Sequence, residues 1–165
     1  LDCVIARLFN TVGPRQTGAY GMVLPRLVRQ ALTGEPVTVY GDGRQTRCFT
    51  HVHDTVDAIV RLLASEAAAG QVLNVGSDGE ISISELAQRV IERAESASEI
   101  RLIPYGEAYA EGFEELGRRK PDTTALRALT GWEPARTVED AIDDVILYER
   151  AALDAQAGGR IGLAR

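Results

Sequence analysis

The sequence predicts an α/β fold, because short apolar runs of strand length alternate with longer segments of helical periodicity. Glycine or proline separates most of these segments, as expected where strands and helices alternate. Aspartate, serine or threonine stands where three of the helices would begin, as N-cap residues do. The 165 residues are 45% hydrophobic and 25% charged, which is typical of folded globular domains.

The first third of the chain contains the clearest strand signals. A nearly continuous apolar run predicts a buried strand over residues 2–9, and a loop follows over 10–20. A helix is predicted over 21–33 with Gly34 at its end, and Pro25 is tolerated because it falls near the first turn. Extended segments are predicted at 37–40 and 47–52, with a tight glycine turn at 41–43.

Capping signals and apolar spacing predict the remaining helices. Asp54 is a candidate N-cap for a helix that runs to about Glu66. The apolar face of this helix consists of Val56, Ile59, Val60 and Leu63. Ser82 and Glu85 have the spacing of a capping box and predict a second helix. The inward residues of that helix are Leu86, Val90 and Ile91.

The last part of the chain is expected to finish in one long helix. Strands are predicted at 71–75 and 100–103, then an irregular segment with Gly106, Gly112 and Gly117, and a short helix from Pro121 to near Gly131. Thr137 and Asp140 cap the final helix. The tail at 158–165 is predicted to be disordered, so that the folded part covers residues 1–157.

Charge and cysteine content exclude several classes of protein. The formal net charge of -6 argues against a basic nucleic-acid surface, and no apolar run is long enough to span a bilayer. The two cysteines, Cys3 and Cys48, do not make a disulfide framework and favour free thiols. We therefore expect a cytoplasmic protein that binds neither nucleic acid nor membrane.

Two common catalytic patterns are missing from the sequence. No glycine series completes the G-x-G-x-x-G spacing of a dinucleotide phosphate loop. The single lysine, Lys120, has Leu116 four residues before it, so no Tyr-x-x-x-Lys pair exists for proton transfer. His51 and His53 are the only histidines, and without a clear third ligand a structural role is favoured over a metal site. No catalytic residue is predicted in this chain.

Three polar motifs stand at strand ends and turns, where small ligands bind in α/β folds. Asn10 ends the first strand and Arg15 follows it, which would suit a phosphate or a sugar hydroxyl. In the second motif a base could pack on Tyr40 or Phe49 while Arg47 binds a phosphate. The third motif is the cationic run 118–120. For each motif taken alone, a turn former or a solvated surface residue is favoured over a ligand site.

Together the motifs resemble a known family. The series runs R-L-F-N-T-V-G-P-R-Q at 7–16, G-M-V-L-P-R at 21–26, G-E-P-V-T-V-Y-G-D-G-R-Q-T-R-C-F-T-H-V-H-D at 34–54, N-V-G-S at 74–77, R-R-K-P-D at 118–122 and G-W-E-P at 131–134. It is similar to the C-terminal half of the extended short-chain dehydrogenases/reductases, the NAD-dependent nucleotide-sugar epimerases, dehydratases and decarboxylases. The resemblance implies the last elements of an NAD(P)-binding Rossmann fold plus a small α/β substrate-binding domain.

The resemblance also implies roles for individual residues. Asn10 would contact the sugar diphosphate and Val23 would offer a backbone contact to the nucleotide. Thr38 and Tyr40 would lie around the uracil or another base, and Phe49 beside the diphosphate. The arginines of the diphosphate would be Arg47 and either Arg119 or Arg118, while Arg15 would lie near the nicotinamide of NAD. Cys48 replaces an aspartate of the family, which would reduce phosphate affinity if that carboxylate orients Arg47.

The family's catalytic half precedes the equivalent of residue 1, so the N-terminal NAD-binding part would be absent from this chain. The resemblance implies a UDP-sugar binding portion of an epimerase that oxidises the sugar transiently with NAD and is homodimeric when intact. A UDP-glucuronate decarboxylase or a sugar dehydratase is the alternative, and a non-catalytic nucleotide-sugar binding module is the alternative of another class. Alone, the first strand would expose an apolar edge.

Overall fold

Four small sheets and six α-helices alternate along the described residues of the computed structural model, which are 2–18, 22–108 and 116–161. The strands are β1 (Ile5–Leu8), β2 (Thr11–Val12), β3 (Val37–Tyr40), β4 (Thr46–Cys48), β5 (Thr50–His51), β6 (Val72–Val75), β7 (Glu80–Ser82), β8 (Ile100–Ile103) and β9 (Arg118–Arg119). The helices are α1 (Val23–Thr33), α2 (Val52–Leu63), α3 (Ile83–Arg93), α4 (Tyr105–Ala108), α5 (Thr124–Thr130) and α6 (Val138–Ile161), with a 3₁₀ turn at Glu66–Ala68.

Parallel pairing dominates the sheets. β1 pairs with β6, β2 with β5 and β3 with β8, all in parallel. β4 is antiparallel to β7 and parallel to β9, so these three strands form one sheet in the order β7-β4-β9. Parallel neighbours need crossover connections, which the helices between them provide. The α/β prediction is confirmed.

Local signals set the ends of several helices as expected. Gly34 follows α1 with a left-handed φ of 72°, which glycine adopts without steric strain. The Ser82 hydroxyl accepts a hydrogen bond from the Glu85 backbone N–H at 3.1 Å and caps α3. Before α6, the Asp140 carboxylate accepts hydrogen bonds from the backbone N–H and hydroxyl of Thr137. These bonds satisfy N–H groups that a helix start leaves open.

The main core lies between α1, α3, α6 and the strands beside them. α1 contributes Leu24, Leu27, Val28 and Ala31, which follow the spacing of one helical face. The main core consists of the buried residues Val12, Leu24, Leu27, Val28, Ala31, Val37, Val39, Phe49, Ile81, Ile83, Leu86, Ala87, Val90, Ala94, Ala141, Ile142, Val145 and Ile146. The predicted inward residues Leu86 and Val90 belong to it, and Ile91 packs on its border.

A smaller second core lies between α2, α5 and the β1–β6 pair. It consists of Ala58, Leu62, Ala68, Leu73, Val75, Leu126 and Trp132. The indole N–H of Trp132 donates to the backbone carbonyl of Asp54 at 3.0 Å, so this large side chain is buried with its polar atom satisfied.

The predicted orientation of α2 is wrong. Val56, Val60 and Leu63 are 52%, 57% and 76% exposed, whereas Ala58 and Leu62 face the second core. Asp54 is not the N-cap either, because His51 takes that position. The buried Asp54 carboxylate instead accepts hydrogen bonds from the backbone N–H of Arg136 at 2.9 Å and from its guanidinium at 2.7 Å.

The first strand differs from its prediction in a related way. β1 is shorter than residues 2–9, and it is not buried: Ile5 is 54% and Leu8 49% exposed. Val4 and Ala6 pack on the second core, while Ile5 between them points to the other face of the strand. β1 has one strand neighbour among the described residues, β6, and the expected apolar edge is present.

Other segments depart from the predictions in smaller ways. The short strand β2 lies inside the predicted loop 10–20, and α6 continues to Ile161 where a tail was expected from Gly158. Residues 19–21, 109–115 and 162–165, which include the predicted start of α1 at Gly21 and the glycine at 112, lie outside the described residues. No helix in the described part of the chain combines the length and apolar content that crossing a bilayer requires.

Candidate functional site

The β7-β4-β9 sheet brings Arg47 and Arg119 together. The two residues are register partners in the parallel pairing of β4 with β9. Register partners project from the same face of a sheet, so both guanidinium groups lie on one side. Arg47 is only 5% exposed, whereas Arg119 is open to solvent. Two adjacent guanidiniums make a concentrated positive site.

Burial and charge both act on Arg47. Burial lowers the pKa of its guanidinium below the ordinary value, and the neighbouring Arg119 charge lowers it further. An arginine nevertheless stays protonated near neutrality. Two guanidinium groups that repel each other in a partly desolvated site favour an anion between them. A diphosphate has enough oxygen atoms to accept hydrogen bonds from both groups.

The opposite face of the same sheet carries a different set of side chains. Thr46 and Arg118 are register partners there, and so are Cys48 and Glu80. The Arg118 guanidinium donates two hydrogen bonds to the Glu80 carboxylate, at 2.7 and 2.6 Å. Arg118 is therefore occupied by Glu80, and the alternation along β9 leaves Arg119 as the partner of Arg47. Of the two candidates at 118 and 119, the structure brings only Arg119 to Arg47.

Glu80 is the most strongly perturbed carboxylate of this sheet. The hydrogen bond from Arg118 is the main cause that lowers the pKa of Glu80 to about 2. The Thr46 hydroxyl adds a hydrogen bond at 3.1 Å, and Lys120 lies 3.9 Å away. A cavity of about 420 Å³ opens beside Arg118 and Lys120. Arg127 also lines this cavity, and its guanidinium is paired with the Asp78 carboxylate at 3.1 Å. This pairing offsets part of the positive charge around the cavity.

Cys48 lies on the Glu80 face, away from Arg47. It is fully buried, and burial is the main cause that raises the pKa of its thiol. The nearby Glu80 charge raises that pKa further. A side chain at position 48 therefore does not orient Arg47, which corrects the expectation that the missing aspartate would weaken phosphate binding through that arginine.

The edge of β3 predicted to meet a base is covered by α1. The backbone N–H of Thr38 donates to the Gln30 side-chain oxygen at 3.0 Å, and the Thr38 carbonyl accepts from Arg26 at 2.8 Å. The Arg26 guanidinium also lies over the Tyr40 ring, 4.4 Å from its centroid. A base that pairs with Thr38 would have to displace Gln30 and Arg26.

Asn10 is used as a corner residue in this structure. Its φ of 37° is left-handed, a conformation that asparagine tolerates better than most residues. Its side-chain nitrogen donates to the Cys48 carbonyl at 2.8 Å, and its own carbonyl accepts from the Thr50 N–H at 3.1 Å. Asn10 thus ties the end of β1 to the junction of β4 and β5.

The other predicted contact residues are divided between core and surface. Phe49 is 5% exposed and belongs to the main core, and its place beside a diphosphate stays a prediction. Val23 is the first residue of α1 and packs on the border of the main core. Arg15 is exposed in the loop after β2, with a left-handed φ of 69°.

The two histidines are not on one strand face. His51 is buried, accepts a hydrogen bond from the His53 backbone N–H at 3.1 Å, and lies 3.2 Å from the Asp144 carboxylate. Because its Nδ1 accepts, its Nε2 carries the hydrogen that faces Asp144. His53 is exposed in the first turn of α2. A structural role for His51 explains these contacts.

Sequence reasoning missed Glu80, Gln30 and Tyr105. The Tyr105 ring lies over Gly41, where an added Cβ would come within 2.3 Å of it. Glu80 and Tyr105 reach their partners across 34 or more residues, and Gln30 reaches Thr38 across the turn that joins α1 to β3, so no local spacing rule connects them. The glycine at 41, followed by a second positive-φ glycine at 43, was the one signal of a close approach.

Comparison with known proteins agrees with the fold and the motif order. Residues 1–76 match the profile of the NAD dependent epimerase/dehydratase family. A UDP-N-acetyl-alpha-D-glucosaminuronate decarboxylase of Bacillus cytotoxicus is 41% identical over 151 residues, which are 91% of this chain and 47% of that protein. The chain thus spans about half the length of this relative.

Solved structures show the same likeness. A UDP-glucuronic acid 4-epimerase from Bacillus cereus, in complex with UDP-glucuronic acid and NAD, superposes with a TM-score of 0.80 at 25% identity over 90% of this chain and 45% of that chain. A UDP-glucose 4-epimerase from Thermotoga maritima, with UDP-glucose, gives 0.81 at 26% identity over 93% and 47%. The parallel α/β architecture, the ordered motifs and these matches all agree in their similarity to the NAD-dependent epimerase/dehydratase family.

Proposed function

We propose that this chain forms the nucleotide-sugar binding portion of a longer NAD-dependent enzyme that acts on UDP-linked uronic acids. The adjacent guanidiniums of Arg47 and Arg119 carry the proposal, because they fit a diphosphate better than any single arginine would. The names of similar proteins support the sugar class, since both the Bacillus decarboxylase and the Bacillus cereus epimerase act on a UDP-linked uronic acid.

Decarboxylation is the reaction we favour for the intact enzyme. From the motifs alone, epimerisation was the expected reaction and decarboxylation the alternative. Relatives named as UDP-glucuronic acid decarboxylases are 36% to 42% identical to this chain, in Xenopus tropicalis and Arabidopsis thaliana. The epimerase structures superpose well on this chain, with TM-scores of 0.80 and 0.81, but are only 25% and 26% identical in sequence. Epimerisation remains the second candidate because of that structural likeness.

The chemistry at the sugar belongs to residues outside this chain. NAD, when bound, would accept a hydride from the sugar and return it, and this sequence contains no glycine-rich loop for the NAD phosphates. Lys120 follows β9 and faces Glu80, with Leu116 in the tyrosine position, so it cannot lower the pKa of a tyrosine as a Tyr-x-x-x-Lys pair does. The role of this chain is therefore to bind and orient, and we expect it to be inactive alone.

The outward apolar residues of β1, β6 and α2 support a missing partner segment. These exposed residues are Ile5, Leu8, Val56, Val60, Leu63 and Val72. They lie on the elements that enclose the second core, where a Rossmann sheet would continue beyond β1. We infer that the rest of the longer protein covers them.

Calorimetric titration with UDP tests the binding role. The wild-type chain should bind UDP, and Arg119→Gln should weaken binding at least about tenfold, because a charge-assisted hydrogen bond to phosphate is lost. Arg44→Gln is the matched control, since Arg44 is an exposed arginine of the turn before β4. Absence of heat at millimolar UDP, or equal affinities of the two variants, would contradict the proposal.

A second observation tests the parent enzyme. The DNA upstream of the codon for Leu1 should encode, in frame or as a separate gene, a glycine-rich strand-to-helix turn and a Tyr-x-x-x-Lys pair. If neither is encoded there, a non-catalytic nucleotide-sugar binding module becomes the favoured hypothesis for this chain.

A further inference from the structure

The strand that carries Arg119 is held weakly by its own backbone. β9 has only two residues, both exposed, and it lies at the edge of its sheet. A backbone hydrogen bond from Thr46 N–H to the Gly117 carbonyl, 2.9 Å long, joins the start of β9 to β4. An edge strand of this length needs side-chain contacts to stay in register.

Glu80 provides such contacts across all three strands. From β7 its carboxylate accepts a hydrogen bond from the Thr46 hydroxyl of β4 at 3.1 Å. The same carboxylate accepts the two hydrogen bonds of Arg118 from β9, which is the bidentate geometry that best fixes a guanidinium. One side chain therefore links β7, β4 and β9 on the face opposite Arg47.

Fixing Arg118 also fixes Arg119. Successive residues of a strand point to opposite faces, so a β9 segment pinned through Arg118 must present Arg119 on the Arg47 side. If the segment shifted by one residue, Arg119 would turn toward Glu80 and leave Arg47 alone. The bidentate Glu80–Arg118 pair thus sets the position of Arg119 beside Arg47, although it lies on the opposite face of the sheet.

The side chain at position 48 lies close to the same cations as Glu80. Cys48 is the register partner of Glu80 and lies on the same face. The charges of Lys120 and Arg118 act on the Cys48 thiol, so a carboxylate at position 48 would also face these cations.

We propose that Glu80 is a positioning residue for diphosphate binding, which seats Arg119 beside Arg47 by holding Arg118. The inference rests on the proposed function, because it assumes that Arg47 and Arg119 bind the diphosphate. Glu80 stays ionised throughout the physiological range, since the Arg118 hydrogen bond lowers its pKa to about 2.

UDP titration of paired variants of the full chain tests this role. Glu80→Gln should raise the Kd for UDP about three- to tenfold, as expected when a side chain must be ordered on binding rather than beforehand. Glu85→Gln is the matched control, because Glu85 is also an exposed glutamate paired with an arginine, Arg89, but on α3. The control should leave the Kd unchanged within about twofold.

A relocated carboxylate separates positioning from general damage to the fold. Adding Cys48→Asp to Glu80→Gln should restore the Kd to within about threefold of the wild-type value, because the new carboxylate faces Arg118 and Lys120. Cys48→Asp alone should not improve binding, since two carboxylates would then face each other. If Glu80→Gln fails to fold, the double variant still decides the question.

Each outcome has a clear meaning. Weaker UDP binding by Glu80→Gln with recovery in the double variant supports the positioning role. Equal affinities of Glu80→Gln and Glu85→Gln, or a double variant no better than Glu80→Gln, overturn it while the proposed function stands. A wild-type chain that does not bind UDP overturns the proposed function, and this inference falls with it.

Discussion

The main core and the second core differ in how completely they are enclosed. In the main core, Leu24, Leu86 and Ile142 have no exposed surface, and three helices enclose them. The second core also contains a fully buried side chain, Trp132, yet the elements around it expose Leu63 at 76% and Ile5 at 54%. One region is closed by this chain, and the other is closed on one side only.

This difference shows that a strong apolar pattern does not tell which side of a helix faces the core. α2 has two sides that could pack: a larger apolar side with Val56 and Val60, and a side with Ala58 and Leu62. The second side is buried because small residues allow a close approach and because Asp54 is bonded to Arg136. The larger apolar side is left exposed to solvent.

Removal of the second-core tryptophan should give the largest effect. Trp132→Ala should lower the free energy of unfolding by about 3–5 kcal/mol, because a fully buried aromatic side chain leaves a cavity and the Asp54 carbonyl loses a donor. Urea denaturation followed by circular dichroism measures it. Trp132→Phe should lose much less, and a loss below about 1 kcal/mol for the alanine variant would mean that the second core contributes little.

The buried carboxylate of α2 should give the next largest effect. Asp54→Asn should lower the free energy of unfolding by about 1–3 kcal/mol, because a charge-assisted contact with Arg136 is weakened in a buried setting. Asp57→Asn is the matched control on the same helix. Asp57 pairs with Arg61 in solvent, so its loss should be no more than about 0.5–1 kcal/mol. Equal losses in the free energy of unfolding for the two variants would mean that Asp54 does not help to orient α2.

Charges placed on the outward side of α2 test whether it is open. Val60→Lys with Leu63→Glu should change the free energy of unfolding by no more than about 0.5 kcal/mol per site, because both side chains are exposed. The same change should reduce self-association of the chain in sedimentation velocity. Gln88→Lys on α3 serves as the control for added charge. A wild-type chain that stays monomeric at high concentration would contradict an open apolar surface.

The smallest expected effect is the pH dependence contributed by Glu80. Its folded-state pKa of about 2 lies below the ordinary 4.5, so its stabilising contribution is complete above about pH 5 and is lost as the pH falls from 4.5 through 2. The difference in unfolding midpoint between wild type and Glu80→Gln should therefore be constant above pH 5 and shrink below it. If the difference in unfolding midpoint stayed constant down to pH 2, the hydrogen bonds from Arg118 would not favour the ionised form of Glu80.

The predictable parts of the fold are those that depend on neighbours in sequence. The end of α1 at Gly34 and the cap of α3 by Ser82 each need only a few consecutive residues, and both were predicted correctly. His51 was not predicted as the N-cap of α2, although the hydrogen bond that it accepts from the His53 backbone N–H is local. The burial of Phe49 in the main core and the bonding of Asp54 to Arg136 were not predicted because they depend on residues far along the chain. The same reason explains why the choice between Arg118 and Arg119 stayed open.

By itself, the sequence determined the α/β class, the order of the longer elements, the resemblance to the epimerase/dehydratase family and the absence of a Tyr-x-x-x-Lys pair, since each is carried by local composition, spacing or motif order. Only the tertiary structure decided which arginine joins Arg47, that Glu80 holds the other one, and that α2 turns its larger apolar side outward. The physical reason is that strand register and helix orientation are set by pairing and packing between distant segments, where shifting a strand by one residue reverses the face of every side chain on it.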